Sequence, residues 1–139
     1  MLHKMLRAKI HRASVTRCDP DYVGSITIDA DLLAASGIRP NEAVLVVDID
    51  NAARFETYVI LGEPGSGEIG VNGAAAKLVE PGHKVIILAF GYLHSDQLDD
   101  HKSRVVLAEE GNRPGQSFDL ASRLEAGDRR RDDGPRSDA

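Results

Sequence analysis

The dipeptide Gly24-Ser25, inside the segment DYVGSITID at residues 21–29, combines the most permissive backbone residue with a nucleophile. When the backbone is strained, a serine hydroxyl can attack the preceding carbonyl, which moves the acyl group from nitrogen to oxygen. The resulting ester can eliminate, which cuts the chain and leaves residue 25 as dehydroalanine, and hydrolysis then yields a pyruvoyl group. Glycine suits such a bond because it tolerates positive φ and leaves the carbonyl unshielded. The alternative is an ordinary loop or bulge.

A second segment, RFETYVI, carries side chains that suit carboxylate binding and proton transfer. Strand alternation places Arg54, Glu56 and Tyr58 on one face and Thr57 on the other. Arg54 can bind a carboxylate through two parallel hydrogen bonds. Tyr58 can donate a proton. The alternative is a solvated polar face with a half-buried tyrosine.

Two more segments offer groups that can bind an acidic ligand. In VNGAAAKL, Asn72 and Gly73 precede three alanines, and the open backbone N–H groups there can hold a carboxylate or carbonyl oxygen. The alternative is a helix start whose alanines only pack tightly. In AKIHR, Lys9 and His11 share a strand face and can point into one pocket. A solvated face is the alternative for these charges.

Other site chemistries lack their sequence motifs. The five histidines show neither HExxH nor CxxC-type spacing, so no metal site is predicted. The Walker A, GxGxxG and GxSxG patterns are absent, and in GEPGSGEIG the carboxylates of Glu63 and Glu68 would repel a phosphate. Cys18 is the single cysteine, which excludes an intramolecular disulfide and fits a reducing compartment.

The segments that must position these residues are mostly strand-like. Strands are predicted for KMLRAKIHRASVT, GSITI, AVLVVDI, RFETYVIL, the start of IGVNGAAAKLV, KVIILAFGYL and SRVVLAE. The third and fourth of these form a predicted hairpin over residues 43–62. DADLLAASGI predicts a short helix, with Asp29 or Asp31 as its N-cap and Gly37 as its C-cap.

Chain length and element pattern predict the domain organisation. The 139 residues suggest one domain, long enough for its own hydrophobic core. Short strands with short helices predict a mainly β fold, a small β-barrel over residues 1–110. From residue 111 the sequence is rich in Gly, Pro, Ser and mixed charge, which predicts a flexible, disordered tail over residues 111–139.

Charge and hydropathy limit the classes of partner. The formal net charge of −5 disfavours a nucleic-acid partner. The N-terminal segment MLHKMLRAKIHR has no apolar core, so we do not expect a signal peptide. The longest apolar run, VIILAFGYL, is too short to span a membrane as a helix. These patterns predict a cytoplasmic protein without a membrane or nucleic-acid partner.

Four separated segments, MLRAKIHRASVT, YVGSITID, RFETY and VNGAAA, together closely resemble the bacterial aspartate 1-decarboxylase family. The resemblance runs from Met1 to about residue 110. It implies a double-psi β-barrel that assembles as a homotetramer with active sites between neighbouring subunits. The implied reaction is decarboxylation of L-aspartate to β-alanine and CO2, which feeds pantothenate and coenzyme A synthesis. The implied cofactor is a covalent pyruvoyl group, with no metal and no pyridoxal phosphate.

The resemblance also implies a role for each candidate residue. The precursor would be cleaved between Gly24 and Ser25, and Ser25 would become the pyruvoyl group that forms a Schiff base with the substrate. Tyr58 would donate the proton, and Thr57 would stabilise the processing intermediate. The residues that would hold the substrate are Lys9, Arg54, Thr57, Asn72, Gly73, Ala74 and Ala75.

Two positions depart from the family pattern. Asp21 stands where a histidine is expected before Tyr22, and Lys77 follows the alanines where a histidine is also more usual. Both departures bear on the rate of self-cleavage more than on the reaction. Some relatives need a separate maturation protein, so a maturation factor joins L-aspartate among the candidate partners.

One segment also supports a function of another class. ITIDADLLAASGIRPNEAVLV has the strand, short helix, turn and strand of the small transition-state-regulator DNA-binding barrels. The alternative hypothesis is therefore a non-catalytic barrel that acts as a DNA-binding or interaction module. The mass of the purified chain distinguishes the two, because only the enzyme would be cut in two.

Overall fold

The computed structural model describes residues 1–124, and most of its regular structure is strand. The strands are β1 Leu2–Ser14, β2 Arg17–Asp19, β3 Ile26–Asp29, β4 Ala43–Asp48, β5 Arg54–Gly62, β6 Ile69–Asn72, β7 Lys84–His94, β8 Lys102–Glu109 and β9 Arg113–Ala121. Helix α1 spans Ala30–Ser36, and 3-10 helices span Gly73–Lys77, Ser95–Gln97 and Glu110–Asn112. Within residues 1–124, no helix is long and apolar enough to cross a membrane.

The strands form one sheet in the order β2-β6-β3-β5-β4-β7-β1-β8-β9. The pairs β2–β6, β3–β5 and β1–β8 are parallel, and the other neighbours are antiparallel. Among the described residues the sheet does not close, because β2 and β9 are its two edges. The predicted mainly β, barrel-like fold with short helices is confirmed, and so is the β4–β5 hairpin.

The hydrophobic core lies on the inner face of the central strands. Strand alternation is visible in β4, where Val44 and Val46 are buried and their neighbours are more exposed. The largest fully buried side chains are Ile10, Ile26, Ile28, Leu32, Ile69, Ile87, Val15, Val44, Val46, Val59, Val71 and Val85. Burial of each contributes about 1.5–3 kcal/mol, so β3, β5 and β6 form a rigid base for the residues next to them.

Helix α1 has the predicted caps. The Asp29 carboxylate accepts a hydrogen bond from the backbone N–H of Asp31 at 2.8 Å, and Gly37 adopts φ 80° and donates its N–H to the Leu33 carbonyl. A left-handed residue at this position closes the last turn, and glycine adopts it without strain. Leu32 and Leu33 are buried and attach the helix to the sheet.

Asp29 also attaches the loop between β5 and β6 to the end of β3. Its carboxylate accepts backbone N–H groups from Gly65 at 3.1 Å and Gly67 at 2.7 Å. Burial works to raise the pKa of Asp29, but the hydrogen bonds from Asp31, Gly67 and Gly65 outweigh it and lower the pKa below its ordinary value. The ionised carboxylate therefore holds the loop in place near neutral pH.

The prediction of a flexible tail from residue 111 is wrong for residues 111–121. Strand β9 pairs antiparallel with β8, and the preceding 3-10 helix contains Asn112, which is buried. The Asn112 side chain bonds the backbone N–H and carbonyl of Ser14 and the carbonyl of Gly67. Pairing with β8 orders a segment whose Gly- and Pro-rich composition indicated a coil. The rest of the predicted tail, residues 125–139, lies outside the described residues.

Candidate active site

The Gly24-Ser25 bond lies in a bend that precedes β3, not inside a strand as the sequence suggested. Ser25 has φ 98° and is only 1% exposed. Gly24 is not among the residues with positive φ, so the unusual backbone angle falls on the serine. A residue other than glycine held in such a region costs on the order of 1–3 kcal/mol, and such strain tends to gather at functional sites.

The backbone angle of Ser25 turns its side chain toward the carbonyl that precedes it. Attack of the Ser25 Oγ on the Gly24 carbonyl carbon closes a five-membered ring, which requires a small torsion between that carbon and Cβ about the N–Cα bond. In an L-residue, Cβ stands roughly 120° from its own carbonyl carbon about this bond, so a φ of 98° leaves the torsion at about −20°. At ordinary negative φ values, Cβ points away from the preceding carbonyl carbon. The backbone therefore holds the Ser25 Cβ on the side of the N–Cα bond that such a ring requires.

Asn72, at the end of β6, holds Ser25 through both backbone and side chain. Its backbone N–H donates to the Ser25 carbonyl at 2.9 Å. Its Nδ2 donates to the Ser25 Oγ at 3.1 Å and to the Thr27 Oγ1 at 3.3 Å. Asn72 is 1% exposed, and its Oδ1 is buried without a hydrogen-bond partner within residues 1–124. Thr27 was not predicted as a site residue, because a threonine in a strand is usually only a packing residue.

Gly73 explains the close approach of backbone at the bend. It adopts φ 72°, and a Cβ added there would lie 2.8 Å from the Gly24 Cα and 3.0 Å from the Gly24 nitrogen. A Cβ added to Gly24 itself would meet the Tyr58 Cε1 at 3.9 Å, which is an ordinary contact. The position that cannot accept a side chain is therefore Gly73 and not Gly24.

Tyr58 lies beside the bend on β5. Strand β3 pairs in parallel with β5 from Ile26 and Val59 onward, so Ser25 and Tyr58 are the residues that immediately precede this pair. Tyr58 is 39% exposed. Thr57 is half-buried on the opposite face, and β5 pairs with β4 without a register shift. Within one chain, Thr57 and Tyr58 therefore face different sides of the strand.

The two predicted carboxylate-binding cations lie farther from the bend. Lys9 is on β1, and three strands separate β1 from β3 in the sheet. Arg54 is exposed at the start of β5, four residues and about 13 Å along the strand from Tyr58. Among residues 1–124, neither cation has an ion-pair partner. Within one chain, Asn72 and Tyr58 therefore adjoin the bend, whereas Lys9 lies on a strand that is not adjacent to β3 and Arg54 lies at the far end of β5.

His11 shares the half-buried face of β1 with Lys9, as predicted. Both of its ring nitrogens are buried and lack a hydrogen-bond partner within residues 1–124. Burial lowers the pKa of His11, and the charges of Lys9 and Arg12 lower it further. The imidazole is therefore neutral at pH 7.

The remaining predicted positions lie around the 3-10 helix Gly73–Lys77. The Asn72 side chain does not cap this helix, because it is directed to Ser25 and Thr27. Ala74 is exposed and Ala75 is half-buried. The backbone of residues 73–75 thus starts a helical turn without a side-chain acceptor for its N–H groups. The two departures from the family pattern, Asp21 and Lys77, are both exposed.

One group of potential metal ligands occurs among the described residues, away from the bend. The ligand atoms of Asp48, Asp50 and His83 lie within 4.8 Å of one another. The buried Asp48 carboxylate bonds the His83 Nδ1 at 2.6 Å and the Asp50 backbone N–H at 2.7 Å, and Asp50 accepts from the Lys84 backbone. These contacts account for the cluster as the anchor of the turn between β4 and β5.

Fold and site together define a small β-sheet protein with a strained, buried serine, a neighbouring amide and a nearby tyrosine. This set of side chains is typical of an enzyme site rather than of a DNA-binding surface. The model of the aspartate decarboxylase family matches residues 1–114, and the chain belongs to that family. The family is that of aspartate 1-decarboxylases, which are carboxy-lyases. The resemblance inferred from the four segments is confirmed, and the DNA-binding alternative is set aside.

Proposed function

We propose that this aspartate decarboxylase cuts its own chain between Gly24 and Ser25 and uses the pyruvoyl group formed from Ser25 to convert L-aspartate to β-alanine and CO2. The Ser25 Oγ adds to the Gly24 carbonyl carbon, and the C–N bond breaks to leave an ester. Loss of the Ser25 Cα proton and cleavage of the Cβ–Oγ bond then release Gly24 as a carboxylate. Hydrolysis of the dehydroalanine releases ammonia and leaves the pyruvoyl group.

The observation that carries this proposal is the geometry of Ser25. Its φ of 98° turns Cβ toward the Gly24 carbonyl, and Asn72 holds both its Oγ and its carbonyl oxygen. A second Gly-Ser pair in the chain provides a contrast. At Gly65-Ser66 the positive φ falls on the glycine, and the serine is exposed in a turn. Only Gly24-Ser25 combines burial, strain and an amide partner on the serine oxygen.

The residues around Ser25 fit a pyruvoyl group. The side chain is buried, Gly73 leaves the space that a Cβ would fill, and the buried Asn72 amide can donate to a carbonyl oxygen. When formed, this group supplies the electron sink that decarboxylation of an amino acid requires. The absence of cofactor-binding motifs from the sequence is consistent with a sink made from the chain itself.

The chain's own residues would bind the substrate and deliver the proton. Arg54 and Lys9 would hold the carboxylates of aspartate, and their lack of ion-pair partners within residues 1–124 supports that role. Tyr58 would donate the proton to the product carbon, and its position beside Gly24 supports this. Asn72 and the backbone of residues 73–75 would add hydrogen bonds to the substrate.

We further propose a homotetramer with active sites between neighbouring subunits. The separation of Lys9 from the bend within one chain supports this, because a neighbouring chain can supply what the first does not. Tyr22 and Val23, just before the bend, are 49% and 79% exposed, and an interface would cover them. Thr57 would then stabilise processing or contact substrate from the opposite face of β5.

The proposed setting is pantothenate and coenzyme A synthesis in the cytoplasm, with β-alanine as the product supplied. L-Aspartate is the proposed small-molecule partner, a maturation factor is a candidate protein partner, and neither nucleic acid nor membrane is needed. The pyruvoyl group would be the only cofactor of the reaction.

The mass spectrum of the purified chain tests the proposed cleavage. We expect two pieces, residues 1–24 and 25–139, the second lighter by one ammonia than a serine-ended fragment and without a free amino group. Ser25→Ala should stay full length because it lacks the attacking oxygen. Ser66→Ala removes the hydroxyl of the other Gly-Ser pair and should cleave like the wild type. A wild-type chain that stays whole, even with cell extract added to supply a maturation factor, refutes the proposal.

A further inference from the structure

We propose that Thr27 is a positioning residue for chain cleavage, because its hydroxyl fixes the Asn72 amide against the Ser25 Oγ. The inference rests on the proposed self-cleavage and adds to it a residue outside the sequence motifs that mark the site. Thr27 would touch neither the substrate nor the bond that breaks, and it would act through Asn72.

A single nitrogen links the three side chains. The Nδ2 of Asn72 lies 3.1 Å from the Ser25 Oγ and 3.3 Å from the Thr27 Oγ1. An amide nitrogen carries two N–H bonds that diverge in one plane, so each hydroxyl can accept one of them. With both bonds made, the amide cannot rotate about its terminal torsion without losing two hydrogen bonds at once.

The surroundings make Thr27 the fixed point of this arrangement. It lies in β3, where its backbone pairs with Gly70 of β6 on one side and with Ile60 of β5 on the other. It is 7% exposed, so water has little access to replace its hydroxyl. Asn72 is 1% exposed, and its Oδ1 has no partner within residues 1–124, so the amide is held through its nitrogen alone. Removal of the Thr27 hydroxyl would leave a single side-chain hydrogen bond, the one to the Ser25 Oγ, to orient the Asn72 amide.

The hydrogen bond to the Ser25 Oγ matters most in the elimination step. When the Cβ–Oγ bond breaks, its electron pair stays on Oγ, which becomes a carboxylate oxygen of Gly24. An N–H donor already directed at Oγ stabilises the negative charge as it develops. In the preceding shift, by contrast, the charge develops on the Gly24 carbonyl oxygen, which is not the atom that the Asn72 amide contacts. Loss of the Thr27 hydroxyl should therefore slow elimination and leave ester formation largely intact.

Thr27→Val and Thr27→Ser test the inference as a pair. Valine keeps the branched shape and removes the hydroxyl, whereas serine keeps the hydroxyl and removes a methyl group. Cleavage is followed by mass spectrometry in plain buffer, which reports elimination, and with hydroxylamine, which cuts any accumulated ester at Gly24. Thr27→Ala, which also lacks the hydroxyl but adds no bulk, serves as the second variant if the valine does not fold.

We expect Thr27→Val to cleave about tenfold more slowly than the wild type in plain buffer, since a misdirected donor loses part of the effect of a catalytic hydrogen bond. Its cleavage by hydroxylamine should stay near the wild-type rate, and Thr27→Ser should restore cleavage in plain buffer. Wild-type cleavage by Thr27→Val refutes the inference, and so does an equal loss in both conditions, which indicates a general structural role. If the wild type itself never cleaves, the proposed function fails and this inference fails with it.

Discussion

Gly73→Ala would perturb the proposed cleavage bend through packing and backbone strain, without changing a reacting group. The added Cβ would lie 2.8 Å from the Gly24 Cα and 3.0 Å from the Gly24 nitrogen, distances that force the bend or the 3-10 helix to move. Alanine at φ 72° also costs about 1–2 kcal/mol relative to glycine. Overpacking against a backbone adds typically 1–3 kcal/mol. The folded protein should therefore lose roughly 2–5 kcal/mol of unfolding free energy.

Gly82→Ala is the matched control for this variant. Gly82 has φ 94°, so alanine there carries a similar backbone cost, but no atom lies within 4 Å of its added Cβ. Gly82→Ala should lose only the backbone part, about 1–2 kcal/mol. It should cleave between Gly24 and Ser25 at the wild-type rate, because nothing moves near the bend.

The assay is a time course of intact mass, with thermal unfolding to confirm that each variant is folded at the temperature used. Displacement of Gly24 by even a fraction of an ångström from the Ser25 Oγ should slow cleavage by at least about tenfold, because ring closure depends steeply on approach geometry. Equal cleavage rates for Gly73→Ala and Gly82→Ala, with both folded, would show that the contact between Gly73 and Gly24 does not position the scissile bond.

Three further outcomes are expected. Arg54→Ala should raise KM for aspartate by about tenfold or more with a smaller change in kcat, because a charge-assisted contact to a carboxylate is lost. Tyr58→Phe should still be cleaved but should form β-alanine at least about a hundredfold more slowly, and an unchanged rate would rule out Tyr58 as the proton donor. The hydrogen bond to Asp48 raises the pKa of His83 in the folded protein. The protonated imidazole therefore stabilises the fold fully at pH values below the ordinary histidine pKa, and this stabilisation is lost as pH rises through the raised pKa. The melting temperature should therefore fall across that window in the wild type but not in His83→Gln.

Local sequence patterns predicted the elements that depend on local physics. The caps of α1, Asp29 and Gly37, follow from side-chain and backbone preferences that act within one turn. The β4–β5 hairpin follows from alternation and a short turn. Strand β9 was missed because its order depends on pairing with β8 and on Asn112, which reaches back to Ser14, 98 residues away. Contacts at that separation leave no periodic signal in the sequence.

In the candidate site, too, local features could be predicted from the sequence and features set by tertiary contacts could not. The Gly24-Ser25 dipeptide and the faces of β5 could be identified from residue types, and the family match supports the assignment of the chain. The positive φ of Ser25 could not be predicted from residue types, because serine does not ordinarily adopt it and tertiary contacts impose it. The contact between Gly73 and Gly24 joins a 3-10 helix to a bend that is distant in sequence, so it too became visible only in the structure.

The same contacts explain how a chain cut at this bond would remain one folded unit. Strained backbone persists only where its surroundings over-determine it, and Ser25 is held between Asn72 and the start of β3. Cleavage would remove the strain, since the φ torsion of residue 25 ends with its peptide bond. The N-terminal piece of the cut chain, residues 1–24, would contain β1, which lies between β7 and β8 and buries Ala8 and Ile10. It also contains β2, paired with β6, so the proposed cut would relieve local strain without exposing the core.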